Sequence, residues 1–83
     1  MKSSAKRPTL DLHGFKTDDV YDAVDQFIQK NQSKDRVLIM TGKGSGAVQK
    51  KVIEYLRQAH YPWAFDKDAS GRENTGVLVV FMS

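Results

Sequence analysis

The hydrophobic positions change their period along the chain, and each change marks an expected element. Residues Thr9 to His13 alternate apolar and polar side chains, as a half-buried strand does, and Gly14 ends the alternation. The next segment has the apolar spacing of an amphipathic helix, with Thr17 as its expected N-cap and an end near Asn31. Its apolar stripe consists of Val20, Ala23, Val24, Phe27 and Ile28.

A second strand and helix follow. Arg36 to Thr41 contains the continuous apolar run Val37–Met40, which is typical of a strand buried on both faces. A glycine-rich loop comes next, and a second helix should begin near Ser45 or Gly46 and run to about His60. The apolar stripe of this helix is Val48, Val52, Leu56 and Ala59.

The apolar runs in the last third of the chain predict two strands, Trp63–Lys67 and Gly76–Met82, joined by a polar turn at residues 70–75. The order βαβαββ implies a parallel pairing of the first strands and an antiparallel final pair. We therefore predict an α/β fold, a two-layer sandwich of a four-stranded mixed sheet and two helices. Its expected core contains Val20, Val24, Phe27, Leu38, Val52, Leu56 and Val79.

Length and composition limit the class of protein. With 83 residues, 40% of them apolar, the chain forms one domain, which we expect over residues 9–83 after a flexible basic arm at residues 1–8. There is no cysteine, which suits a reducing cytoplasm and excludes disulfides. The longest apolar run, Val77–Met82, is far below the ~20 residues of a spanning helix. We expect a cytoplasmic protein with no membrane partner.

The charges are unevenly distributed along the chain. The net charge of +3 equals the contribution of the arm, from Lys2, Lys6 and Arg7. One segment concentrates negative charge, in Asp18, Asp19, Asp22 and Asp25, and another concentrates positive charge, in Lys43, Lys50, Lys51 and Arg57. A polyanion would be attracted to the basic segment and the arm, with the acidic face turned away from it. Two solvated faces without a ligand explain the charges equally well.

The first candidate for chemistry is the pair Asp11 and His13. Their i, i+2 spacing on a strand puts both side chains on one face. An imidazole titrates near neutral pH, and a neighbouring carboxylate can orient it or bind a cation, so the pair suits acid–base chemistry. A polar strand face, or a histidine that caps a turn, explains the same residues without any chemistry.

The second candidate is the loop from Thr41 to Gly46. Glycines allow close approach of a ligand to the backbone, and the following helix N-terminus offers unpaired N–H groups to a phosphate. The loop lacks the Walker A spacing, and Ala47 stands at the third position of a dinucleotide-type glycine motif, for which the domain is too small. A plain glycine-rich turn is the alternative. Because both candidates follow strands of a parallel pair, they should converge at the carboxyl edge of the sheet.

The order of these motifs resembles the Smr (small MutS-related) domain family. The resemblance covers residues 9–82 and is carried by Leu-Asp-Leu-His-Gly at residues 10–14, by Thr-Gly-Lys-Gly at residues 41–44, and by the last strand. It implies a fold similar to the C-terminal domain of translation initiation factor 3, and a nicking endonuclease or RNase activity. It also implies that Asp11 and His13 are catalytic and that Gly42, Lys43 and Gly44 contact nucleic acid.

The expected phosphate-binding set combines the resemblance with the charges and consists of Thr41, Gly42, Lys43, Gly44, Ser45, Gly46, Lys50 and Lys51. Many family members begin the glycine loop with His where this chain has Thr41, so a two-histidine mechanism is not available at that loop. His60 is the other imidazole, and we expect it at the surface. Asp11 is the one candidate metal ligand, for Mg²⁺ or Mn²⁺, which are the candidate cofactors.

Three functions remain in competition. The first is a structure-selective, sequence-nonspecific endonuclease that cuts DNA or RNA by hydrolysis or transesterification, since backbone contacts carry no sequence information. The second is a non-catalytic DNA- or RNA-binding module with the same fold. The third is a binder of small phosphorylated metabolites, which so small a domain disfavours. We expect the chain to act as a monomer or as part of a larger chain.

Overall fold

The computed structural model describes residues 8–42 and 46–82. The expected arm, apart from Pro8, and the loop residues Lys43, Gly44 and Ser45 lie outside the described residues. In the described parts, no helix has the length and hydrophobicity to cross a membrane. The elements are β1 (Thr9–Asp11), α1 (Thr17–Lys30), β2 (Arg36–Met40), α2 (Gly46–Gln58), β3 (Trp63–Lys67) and β4 (Glu73–Phe81).

The four strands form one mixed sheet in the order β1-β2-β4-β3. β1 pairs with β2 in parallel, as expected for strands joined by a helix, and β4 pairs antiparallel with both β2 and β3. The last strand in the chain therefore lies between β2 and β3. The predicted α/β fold with two helices and a four-stranded mixed sheet is confirmed.

Both helices pack on the same side of the sheet. Val24 of α1 and Val52 of α2 are fully buried in one cluster with Ile39 of β2 and Leu78 of β4. Because side chains alternate along a strand, Leu38, Met40, Val77 and Val79 lie on the other side, outside that cluster. We call this side the open face. No helix among the described residues covers it.

The predicted core was right for Val20, Val24, Val52 and Leu56, which are all fully buried, and for Val79, which is buried on the open face outside the helix-side cluster. It was wrong for Leu38, which is only half-buried on the open face. Phe27 is only half-buried and packs against the edge of the core. The helices cover one side of the sheet, and a continuous apolar run does not reveal which of its residues face that side.

Aromatic side chains join the two helices. The buried Tyr55 hydroxyl donates a hydrogen bond to the Asp25 carboxylate at 2.7 Å, and the rings of Tyr21 and Tyr55 meet edge to face at 5.0 Å. Burial, together with the hydrogen bond to Asp25, raises the pKa of Tyr55 well above its ordinary value. The tyrosine is therefore neutral at physiological pH and acts as a hydrogen-bond donor to α1.

Three element boundaries differ from the expected ones. β1 ends at Asp11 and not at His13, because the chain turns after Leu12. β4 begins at Glu73 and not at Gly76, because Glu73 and Asn74 extend the pairing with β3 beyond a register shift. Thr17 is the first residue of α1, and no side-chain hydrogen bond caps this helix.

α2 ends in a Schellman arrangement. The amide of His60 donates to the carbonyl oxygen of Arg57 at 3.2 Å, and the amide of Tyr61 donates to that of Leu56 at 2.9 Å. His60 has a φ of 63° at the position that glycine usually occupies. Its side chain is exposed, as expected.

Candidate functional site

The two sequence motifs meet at the carboxyl ends of β1 and β2. Asp11 lies beside Met40 in the parallel register, and the amide of Leu12 donates to the Met40 carbonyl oxygen at 2.8 Å. The turn after β1 and the loop after β2 therefore start side by side. The predicted convergence is present for the described residues of both motifs.

The turn after β1 is stabilised through the main chain. The amide of His13 donates to a carboxylate oxygen of Asp11 at 2.9 Å, and the amide of Phe15 donates to the carbonyl oxygen of Leu12 at 3.0 Å. Gly14 has a φ of 81°, which the tight turn requires. Leu12 is buried in the core, whereas Asp11 and His13 are exposed. Among the described hydrogen bonds, the Asp11 carboxylate contacts the main chain of His13 and not its ring.

The loop after β2 is anchored to β4. The amides of Thr41 and Gly42 both donate to the carbonyl oxygen of Gly76, at 2.8 and 3.2 Å. The Thr41 side chain is fully buried, with its hydroxyl 3.4 Å from that same oxygen. Gly42 has a φ of 85°, which turns the chain out of the strand. Thr41 therefore anchors the loop to β4. We had expected it to contact the phosphate directly, but its side chain is buried.

Sequence reasoning missed the residues that support this anchor. The amide of Gly76 donates to the Asn74 side-chain oxygen at 3.1 Å, and the Gln49 side chain of α2 donates to the carbonyl oxygen of Thr75. β4 thus connects the start of the loop to the helix that follows it. A glycine next to an apolar strand run often marks a bulge or a close backbone approach, and Gly76 was the one available signal.

The basic residues of α2 lie at the same end of the sheet but in the helix layer. Lys50 and Lys51 are exposed and line a groove with Thr17 of α1. Asp11, in contrast, shares the open face with Met40, because residues paired across a sheet point to the same side. A ligand that contacts both Asp11 and these lysines has to pass around the carboxyl edge of the sheet.

The four aspartates of α1 do not form the single acidic face that we expected. Asp25 faces α2 and accepts the hydrogen bond from Tyr55. Asp19 and Asp22 line a groove of about 440 Å³ beside Phe15 and Phe27. The spacing of these residues around a helix sends them to different neighbours.

The described residues contain no group of three His, Cys, Asp or Glu side chains that could hold a metal ion. Asp11 supplies one carboxylate, and one of its oxygens accepts the His13 amide. Mg²⁺ can bind through one or two carboxylates when substrate phosphates complete its shell. The residues therefore fit a cation that arrives with a phosphate ligand, and they do not form a cage for a resident one.

Known sequences resemble this chain over most of its length. A protein named Endonuclease MutS2 from Staphylococcus carnosus (strain TM300) is 35% identical over 78 residues, which are 92% of this chain and 10% of that protein. An Endonuclease MutS2 from Ligilactobacillus salivarius (strain UCC118) is 32% identical over 81 residues, covering 95% of this chain and 10% of its own length. The chain thus spans about a tenth of these relatives.

A solved structure has the same fold. The solution structure of the SMR domain of NEDD4-binding protein 2 superposes with a TM-score of 0.60 at 21% sequence identity, covering 100% of this chain and 93% of that one. The sequence profile of the Smr domain matches residues 10–83. The resemblance inferred from the motifs is confirmed, and the chain belongs to the Smr domain family.

Proposed function

We propose that this domain binds the sugar–phosphate backbone of nucleic acid at the carboxyl edge of its sheet and cleaves a phosphodiester bond there. The observation that carries the proposal is the hydrogen bond from the Leu12 amide, within the first motif, to the carbonyl oxygen of Met40, which directly precedes the second motif. This contact joins the turn that carries His13 to the strand that leads into the glycine loop, and it supports a site in which a histidine acts on a phosphate held by that loop. The relatives named as endonucleases support the same function.

Binding in this proposal is electrostatic and sequence-independent. The N-terminus of α2 at Gly46 offers main-chain donors to a phosphate, and Lys50 and Lys51 add positive charge on the next turn. Lys43, Gly44 and Ser45, which lie outside the described residues, belong to the same proposed phosphate site. Contacts of this kind fix the position of the backbone and read no bases.

Cleavage in this proposal depends on His13. Its exposed imidazole accepts a proton from the attacking oxygen, which is a water in hydrolysis or a ribose 2′-hydroxyl in transesterification. The bond from phosphorus to the leaving oxygen then breaks, and that oxygen takes a proton from solvent. Asp11 positions the histidine by holding its amide, so it acts through the turn. Lys43 and the loop amides stabilise the charge that builds on the phosphate.

A non-catalytic binding module is the second candidate, and two observations favour it. Thr41 is buried at the loop position where many family members have His, so that loop position supplies no imidazole. The Asp11 carboxylate is also engaged with the main chain. Under this alternative, the turn is structural and the domain binds without turnover.

Binding is tested by titrating labelled oligonucleotides at several salt concentrations. We expect affinity to fall steeply with salt, and Lys51→Gln to reduce the slope of log K against log salt by about one unit. Arg57→Gln is the matched control, because Arg57 is also exposed but lies in the last turn of α2. An affinity that does not change with salt would contradict the proposal.

Cleavage is tested on supercoiled plasmid and on structured RNA, with and without chelator. We expect His13→Asn to slow turnover by about 10²–10⁴-fold at unchanged binding, as for loss of a general acid–base group. His60→Asn is the matched control, since His60 is exposed at the far end of α2 and asparagine tolerates its positive φ. Equal turnover of the His13 variant and the wild type would exclude this mechanism. Binding without any turnover would support the module.

A further inference from the structure

We infer that the open face of the sheet binds unpaired nucleobases, so that the ligand is a single-stranded segment of nucleic acid. This inference rests on the proposed function and adds to it the class of ligand and the surface that selects it. The open face is the side of the sheet opposite the helices, from Arg36 and Phe81 at one end to Asp11 and Met40 at the other. It is continuous with the candidate phosphate site, because Met40 directly precedes Thr41.

The middle of the open face is apolar at its two inner positions, Leu38 and Val79. Thr9, Leu38, Val79 and Ala64 stand in one row across the four strands. The two outer positions, Thr9 and Ala64, have small side chains. The two inner positions are aliphatic. Leu38 is partly exposed, whereas Val79 is only 7% exposed and presents little area to a ligand. An apolar surface suits the rings of nucleobases better than it suits a charged backbone.

Met40 is the most prominent apolar side chain of this face, with 40% of its surface exposed. It lies between Asp11 on β1 and Val77 on β4. A thioether side chain is unbranched and polarisable, and it makes favourable contacts with aromatic rings. Met40 is also the open-face residue that directly precedes the glycine loop in the sequence.

The opposite end of the open face carries an aromatic ring and a cation. The guanidinium of Arg36 lies over the Phe81 ring, 5.6 Å from its centre, and Arg36 is exposed. Arg36 precedes Met40 by four residues on β2, which corresponds to about 13 Å along a strand. The ring offers a stacking surface and the guanidinium offers a phosphate contact, so a strand that crosses the sheet meets a cation at the Arg36 end of the open face.

These features favour unpaired bases over a duplex. In a duplex the flat sides of the bases are stacked on one another, and only edges and phosphates are accessible. The carboxylate of Asp11 on the same face repels phosphates, which directs bases and not the backbone to the sheet. Stacking of a base on an aromatic side chain such as Phe81 tolerates any sequence, because every base has a flat ring face.

The test compares two labelled single strands of equal length and charge, one with normal bases and one made of abasic sites. Anisotropy titrations at one salt concentration measure the affinity for each. We expect the wild type to bind the base-bearing strand at least about fivefold more tightly. Met40→Thr should remove most of this preference while leaving the affinity for the abasic strand unchanged.

Arg36→Gln provides a second variant at an exposed position, in case the first one disturbs the sheet. We expect it to weaken binding of the base-bearing strand more than Arg57→Gln does, although both remove one arginine charge from the surface. A duplex of the same sequence should compete poorly against the single strand. Circular dichroism and thermal melting confirm that each variant is folded.

The outcomes separate this inference from the function on which it rests. Equal affinity for base-bearing and abasic strands would overturn the inference and leave salt-dependent phosphate binding intact. Absence of binding to either strand would refute the proposed function itself. If sedimentation instead finds a dimer that Met40→Thr converts to a monomer, the open face binds a second copy of the chain and the inference is wrong.

Discussion

The core between the helices and the sheet is stabilised by side chains, whereas the carboxyl edge of the sheet is stabilised mainly by main-chain hydrogen bonds. In the core, fully buried apolar side chains such as Val24, Ile39 and Leu56 make the contacts. At the edge, main-chain amides bond to the Asp11 carboxylate and to the Gly76 carbonyl oxygen, and the side chain of His13 is exposed. Substitutions in the core should therefore change stability, and side-chain substitutions at the edge should change the affinity for a ligand or its turnover.

The largest effect is expected from Leu56→Ala in the core. This change removes a fully buried side chain and should lower the free energy of unfolding by about 2–5 kcal/mol. Urea denaturation measures the loss. Arg57→Ala, at the next and exposed position of α2, is the control and should change stability by less than about 0.5 kcal/mol. If Leu56→Ala also weakened nucleic-acid binding per folded molecule, the two regions would not be separable.

A smaller loss is expected from Asp25→Ala at the interface of the helices. The buried Tyr55 hydroxyl would lose its acceptor, which costs about 1–3 kcal/mol. Asp22→Ala removes the same charge from an exposed position on the same helix and should be nearly neutral. Adding Tyr55→Phe to Asp25→Ala should recover part of the loss. Equal effects of the two aspartate variants would mean that net charge, and not the hydrogen bond, matters.

Gly14→Ala tests whether the backbone conformation of the turn after β1 contributes to stability. The added Cβ meets no atom within 4 Å, so the cost comes from the φ of 81° alone and should be about 1–2 kcal/mol. Gly46→Ala also adds a Cβ in open space, but at a helical position, and should not destabilise. Thermal melting of both variants distinguishes backbone strain from steric conflict. A neutral Gly14→Ala would show that the turn is not constrained.

The smallest effect, of opposite sign, is expected from His60→Gly. Glycine relieves the positive φ at the end of α2 but also increases the freedom of the unfolded chain, so the net gain should be about 0.5–1 kcal/mol. His60→Ala keeps the strained backbone and should give no gain. Turnover should be unaffected by either change, because this histidine lies at the other end of α2 from the candidate site. Destabilisation by glycine would show that the His60 side chain contributes a stabilising contact.

The sequence predicted the fold closely because its periods differ from segment to segment. The i, i+3, i+4 spacing of Val20, Ala23 and Val24 is specific to a helix, and α1 and α2 lie close to their expected bounds. The sequence did not show which residues of β2 and β4 face the helices, because both strands are continuous apolar runs. Leu38 and Val79 were therefore expected in the core, although they face away from the helices.

The candidate site was predictable in position but not in detail. Asp11 and the loop start at Thr41 lie next to each other because parallel strands end at one edge. The role of Gly76 depends on the pairing of β4 with β2. Its contact with Thr41 joins residues 35 positions apart, so no local sequence pattern predicts it. The separation of Lys50 from Asp11 likewise depends on which side of the sheet the helices cover.

The position of β4 has a consequence for how the domain is made. Of the six elements in the described residues, β4 is the last to be synthesised, yet it is the strand that joins β2 to β3. A nascent chain that has emerged from the ribosome only as far as Lys67 has a parallel strand pair and two helices but cannot complete its sheet. Because pairings between distant segments form slowly, collapse of the whole domain has to wait for its final strand. Until that strand emerges, the apolar sides of β2 and β3 are open to chaperones and to aggregation.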